Sequence, residues 1–207
     1  MRSLPAILAM LVAAGACVPA SAALQVVVLQ GLGGENAYDE EFSAQVRALG
    51  EAGRALTDRV QVLGPEQSTR AQVQTLFRQL AGSLTAEDRI AVYLVGHGSF
   101  DGDEYKFNVR GADITARDLS AMLNALPARD QLIVATGSSS GALQAALKRE
   151  TRIVVTATRS GTVMPCRSSS PARKLISSSD GVIRPDRPMM SAPSALAVSM
   201  IFEAGTM

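Results

Sequence analysis

A chain of 207 residues, 47% of them hydrophobic and 19% charged, can bury a sizeable core and is too apolar to be disordered throughout. Its net charge of +1 offers no electrostatic footprint for nucleic acid or an anionic membrane. Two cysteines and one histidine, His97, exclude a disulfide framework and narrow the chemistry.

The amino terminus reads as a cleavable signal peptide over residues 1–22. Arg2 supplies the positive start, Leu4 to Val18 the apolar run, and Ala20-Ser21-Ala22 the small residues that a signal peptidase reads. The run is short for a bilayer span, so no stable membrane span is expected, and the protein is read as exported, periplasmic or secreted. Cys17 follows Ala14-Gly15-Ala16, but this box lacks the leading Leu of a lipoprotein signal. Cleavage leaves 185 of the 207 residues, one domain's worth, with Cys166 as the only cysteine and basic and acidic residues balanced.

Val26 to Leu29 is β-rich and ends at Gly31-Leu32-Gly33-Gly34. A helix is predicted from about Tyr38 to Leu49, with Asp39, Glu40 and Glu41 favourable in its first turn. Val60 to Leu63 is a short strand closed by Gly64-Pro65. Thr69 and Gln72 suggest a capping box, ahead of a helix with Val73, Leu76, Phe77 and Leu80 on one face. Ile90 to Val95 is a strand stopped by Gly96. Thr115 opens a helix carrying Leu119, Met122, Leu123 and Leu126. Leu132 to Ala135 is a strand, Gly141 to Lys148 a helix, and Ile153 to Val155 the last clear strand.

Strands alternating with helices predict an α/β domain over 23–161, with a mostly parallel sheet covered on both faces. Ligands of such sheets bind at the carboxyl ends of the strands, which directs attention to 31–37, 96–104, 136–141 and 157–162. Residues 162–207 form an atypical tail that holds five of the nine Pro and five of the eight Met. Two origins fit this composition: a disordered extension, or a shift of the coding frame near Thr162.

Two strand ends could carry chemistry. In Val95-Gly96-His97-Gly98-Ser99 a strand delivers a histidine between two glycines, and Gly98 can offer its N–H to an oxyanion. In Ala135-Thr136-Gly137-Ser138-Ser139-Ser140-Gly141 a strand enters a tight Gly/Ser turn before a helix. His97 with Ser138, or alternatively Ser139, is a base–nucleophile candidate. The bland alternative makes the serines N-caps and His97 a structural residue. Gly137-x-Ser139-x-Gly141 also fits the nucleophile elbow of α/β-hydrolases, whose base follows the serine; no histidine follows Ser139.

In order and spacing, these two motifs resemble the legumain-type cysteine peptidases. Thr156-Ala157-Thr158 after the last strand, and Gly31-Leu32-Gly33-Gly34 with Tyr38 after the first, resemble the same family. The likeness covers residues 24–161. It implies a caspase-like three-layer α/β/α sandwich, a peptide or protein ligand, and no cofactor. It puts His97 at the base and Ser138 in the slot of the nucleophilic cysteine.

That substitution matters chemically, because a serine is essentially never ionised without a well-placed base, and serine systems usually add a third group to orient the histidine. The expectation is therefore an exported legumain-like homologue that is non-catalytic or weakly active. A serine hydrolase using a His97/Ser138 dyad and a periplasmic peptide-binding or interaction module are the alternatives.

Three weaker signals receive plain readings. Asp101-Gly102-Asp103-Glu104 lacks the spacing of a calcium loop and is expected to be a turn between Phe100 and Tyr105, so no metal site is assigned. Gly31-x-Gly33-Gly34 is not a complete dinucleotide fingerprint. Arg159 is read as solvated.

Overall fold

The structure is a computed structural model and describes residues 22–159. The expected signal peptide, apart from Ala22, and the 162–207 tail lie outside the described residues. The elements in order are β1 (Leu24–Gln30), α1 (Asn36–Leu56), β2 (Val60–Leu63), α2 (Arg70–Ser83), β3 (Arg89–Val95), β4 (Gly98–Phe100), β5 (Tyr105–Phe107), β6 (Ile114–Thr115), α3 (Ala116–Asn124), β7 (Asp130–Ala135), α4 (Leu143–Leu147) and β8 (Arg152–Thr156).

Five strands form a parallel sheet in the order β2-β1-β3-β7-β8. The connection from β1 to β2 steps one way and its helix, α1, packs on one face through Val46 and Leu49. The connections through α2, α3 and α4 step the other way, and these helices pack on the opposite face. A single crossover hand requires this division. The result is the three-layer α/β/α sandwich expected from the alternating pattern.

Both faces of β1 and β3 are covered, which is why Val26 to Leu29 and Ile90 to Val95 are unbroken apolar runs rather than alternating ones. Val27, Leu29, Val92 and Leu94 meet Phe77, Leu119 and Leu123 on one side, while Val26, Val28, Ala91 and Tyr93 lie under α1 on the other. Coverage by α1 stops short of the far strands. Leu132 and Val134 on β7 are half-buried, and their partners in register, Ile153 and Val155 on β8, are 58% and 46% exposed.

Several boundaries differ from the sequence expectation. Helix α1 continues through Gly50 and Gly53, because these glycines let the helix lie close on the sheet; a β-carbon on Gly53 would sit 3.2 Å from Val26 Cγ1. Its first turn holds Asp39 but not Glu40 or Glu41, since it starts at Asn36. Thr69 Oγ accepts from Gln72 N, which is half of a capping box; the reciprocal pair occurs at Thr115 and Asp118 instead. The helix expected over Gly141–Lys148 is a 3-10 turn, Ser140–Ala142, followed by the short α4.

A small antiparallel sheet, β4-β5-β6, branches off the carboxyl end of β3. The expected turn between Phe100 and Tyr105 joins its first two strands. Asp101 Oδ1 accepts from the N–H groups of Asp103 and Glu104, and Oδ2 takes the Lys106 ammonium at 2.8 Å. These donors hold the Asp101 carboxyl well below its ordinary range.

Candidate functional site

Three glycines end the three central strands, and their main chains touch. A β-carbon on Gly96 would lie 2.8 Å from Gly31 Cα, and one on Gly137 would lie 2.5 Å from Gly96 O and 3.1 Å from Gly98 N. No larger residue fits this row. Gly96 also takes φ +155°, a conformation side chains resist. The glycines bring the His97 and Ser138 segments together at the carboxyl edge of the sheet.

His97 is half-buried. Its ring is met edge-on by Tyr38, with centroids 4.9 Å apart, and by Phe42 at 5.2 Å. Both aromatics come from the first two turns of α1. That end of the helix is tied to the loop after β1 by Gly33 N, which donates to Asp39 Oδ1 at 2.9 Å. The imidazole makes no hydrogen bond to Ser138 or to any carboxylate among the described residues.

Gly98 begins β4. Asn108 N donates to His97 O at 3.1 Å, so His97 and Asn108 form a bonded pair of the antiparallel ladder. Gly98 and Phe107 are the next pair, which turns the Gly98 N–H away from β5; its nitrogen lies 3.1 Å from the point a β-carbon on Gly137 would occupy. A β-carbon on Gly98 would strike the Tyr105 hydroxyl and lie 2.7 Å from Ser138 O.

The three serines have different surroundings. Ser140 is fully buried, and its Oγ accepts from Ala157 N at 3.2 Å and Thr158 N at 3.3 Å and pairs with Thr158 Oγ1 at 3.3 Å. It clamps the turn to the end of β8. Ser139 is 4% exposed and left-handed at φ 56°, which for a residue with a side chain costs about 1 kcal/mol. Ser138 is half-buried, and its hydroxyl has no hydrogen bond among the described residues. Of the three, Ser138 keeps a hydroxyl that is both accessible and uncommitted.

The structure gives roles to residues outside the two strand-end motifs. Tyr38 and Phe42 wall His97; Tyr38 enters the sequence resemblance without a role, and Phe42 enters no motif. Tyr105 lies beneath Gly98, 1% exposed, with no hydrogen-bond partner for its hydroxyl among the described residues, and burial pushes its phenol pKa up. Thr158 holds Ser140. Asp101 and Asp103 fall on the hairpin turn rather than at this edge.

The arrangement can present a histidine, a free hydroxyl and a main-chain N–H along one strand edge, with no carboxylate among the described residues orienting the imidazole. No protein-family model and no curated protein matches the sequence. Among solved structures the chain is similar to a Geobacter sulfurreducens protein, GSU0716, with 18% identity and a TM-score of 0.45, over 63% of this chain and 57% of that one. The chain thus spans less than two thirds of that neighbour's length.

No helix among the described residues is long and apolar enough to cross a membrane.

Proposed function

We propose that this protein is an exported legumain-like homologue that binds an extended peptide along the carboxyl edge of its sheet and hydrolyses it slowly or not at all. One observation carries the reading. His97 and Ser138 stand on strand ends pressed together through Gly96, Gly98 and Gly137, yet the imidazole packs against Tyr38 and Phe42 and makes no hydrogen bond to the hydroxyl. A serine needs that bond to be activated; an extended peptide needs only an accessible strand edge with a main-chain donor such as Gly98 N–H.

The test is a fluorophosphonate probe together with a fluorescent peptide library. The expected result is peptide binding that weakens in Phe42→Ala, with negligible labelling of Ser138. Rapid labelling of Ser138 that disappears in His97→Ala would replace this reading with the dyad hydrolase. Absence of peptide binding in any register would remove it.

A further inference from the structure

The chain enters the fold at Ala23. Ala22 is exposed and Ala23 is half-buried. Ala23 N donates to Asp88 Oδ1 at 2.9 Å, and Ala23 O accepts from Arg89 N at 2.9 Å. Asp88 is 6% exposed, and its other oxygen accepts from Thr85 N at 2.8 Å and Thr85 Oγ1 at 3.0 Å. The small-residue box Ala20-Ser21-Ala22 ends immediately before this nitrogen. A cleavage rule read from local sequence and a hydrogen bond made across 65 positions therefore meet at one bond.

We propose that cleavage after Ala22 converts this contact into an ion pair, and that Asp88 is the receptor for the new amino terminus. Hydrolysis by a signal peptidase adds one water across the Ala22–Ala23 amide: Ala22 leaves as a carboxylate, and the Ala23 nitrogen becomes an ammonium. An amide N–H facing Asp88 is exchanged for a charged donor at the same place, the stronger kind of hydrogen bond.

Two arginines flank this corner. Arg59 reaches Asp88 Oδ1 at 3.7 Å but is half-exposed, so its repulsion of the ammonium is screened. Arg89 is occupied by Asp130 at 3.6 Å. Unprocessed chain folds with the neutral contact, whereas processed chain folds with the pair. The inference rests on the export reading and is independent of any role for His97 or Ser138.

The experiment uses the exported full-length protein. Intact mass identifies the first residue, and ¹³C-methylation of the amine followed by NMR titration measures its acidity. The expected result is Ala23 as the first residue, with an α-ammonium about tenfold less acidic than an ordinary one of pKa roughly 7.7–8.0. A chain beginning one residue earlier, at Ala22, moves the amine out of reach and should titrate normally, and Asp88→Asn should abolish the difference. A different first residue in the exported protein overturns the proposal. So does an Ala23 amine that titrates like that of the Ala22 chain, an outcome that stays readable even if Asp88→Asn does not fold.

Discussion

The carbonyl oxygen of Gly96 lies 2.5 Å from the point a β-carbon on Gly137 would occupy, so the ends of β3 and β7 approach as closely as two main chains allow. Gly137→Ala forces them apart. Overpacking of this kind costs about 1–3 kcal/mol. The melting temperature should fall by roughly 3–10 °C, and peptide binding should weaken with it, as measured by calorimetry and titration. An unchanged melting temperature would mean that the strand ends yield without resistance.

Ser138→Cys tests whether His97 reaches position 138. A thiol paired with an imidazole is alkylated faster than an isolated thiol of pKa about 8.5 and stays reactive further toward acid pH. Iodoacetamide kinetics between pH 5 and 9, repeated in His97→Ala, should show the acid limb only when His97 is present. The Cys166→Ser background removes the competing thiol. A rate identical in the two backgrounds would separate the side chains.

Arg152 is 7% exposed and has no carboxylate partner among the described residues. Its guanidinium instead donates to Gln131 Oε1 at 2.9 Å, Leu147 O at 3.0 Å and Asn124 Oδ1 at 2.9 Å, joining β8 to β7, α4 and the end of α3. Burial and the neighbouring Arg149 lower its pKa. Arg152→Ala leaves two buried acceptors, Gln131 Oε1 and Leu147 O, unsatisfied and should cost about 3 kcal/mol in urea unfolding. Arg152→Met keeps the packing of the stem but not the donors, and it should recover less than half of that loss.

Asp88 gives stability an acid-side dependence. Hydrogen bonds from the Thr85 and Ala23 main chain hold its carboxyl below the ordinary range; burial opposes them, and the Thr85 hydroxyl and Arg59 add to them. A group with a depressed folded pKa contributes stability above its unfolded value of roughly 3.9, and that contribution is lost as pH falls through the folded value. Asp88→Asn should lower stability at pH 7 and flatten its decline below about pH 4. A parallel decline in the two proteins would assign the acid sensitivity to other carboxylates.

The sheet was legible in the sequence because buried parallel strands leave apolar runs stopped by glycines, as at Val92–Gly96 and Ile133–Gly137. The helices were legible as faces but not as lengths. Gly50 and Gly53 look like stops, and only the nearness of Val26, Val60 and Val62 shows why they sit inside α1. The site was legible as two motifs but not as an arrangement. Which serine stays free depends on the left-handed turn at Ser139 and on the Ser140–Thr158 contact, the latter made across 18 residues. The aromatic walls of His97 come from a helix 55 residues earlier in the chain, beyond any local pattern.

The open half of the α1 face has a practical consequence. Ile153 and Val155 sit on an edge strand whose outer hydrogen-bonding row has no neighbour in the described sheet. A short, β-branched edge without a charge on that face is a template for another strand. Concentrated samples should gain light scattering there first, and Ile153→Lys should suppress it while leaving the melting temperature within about 2 °C, as exposed substitutions do. Among the described residues, the limit on how much of this protein stays dispersed is then set by one five-residue strand.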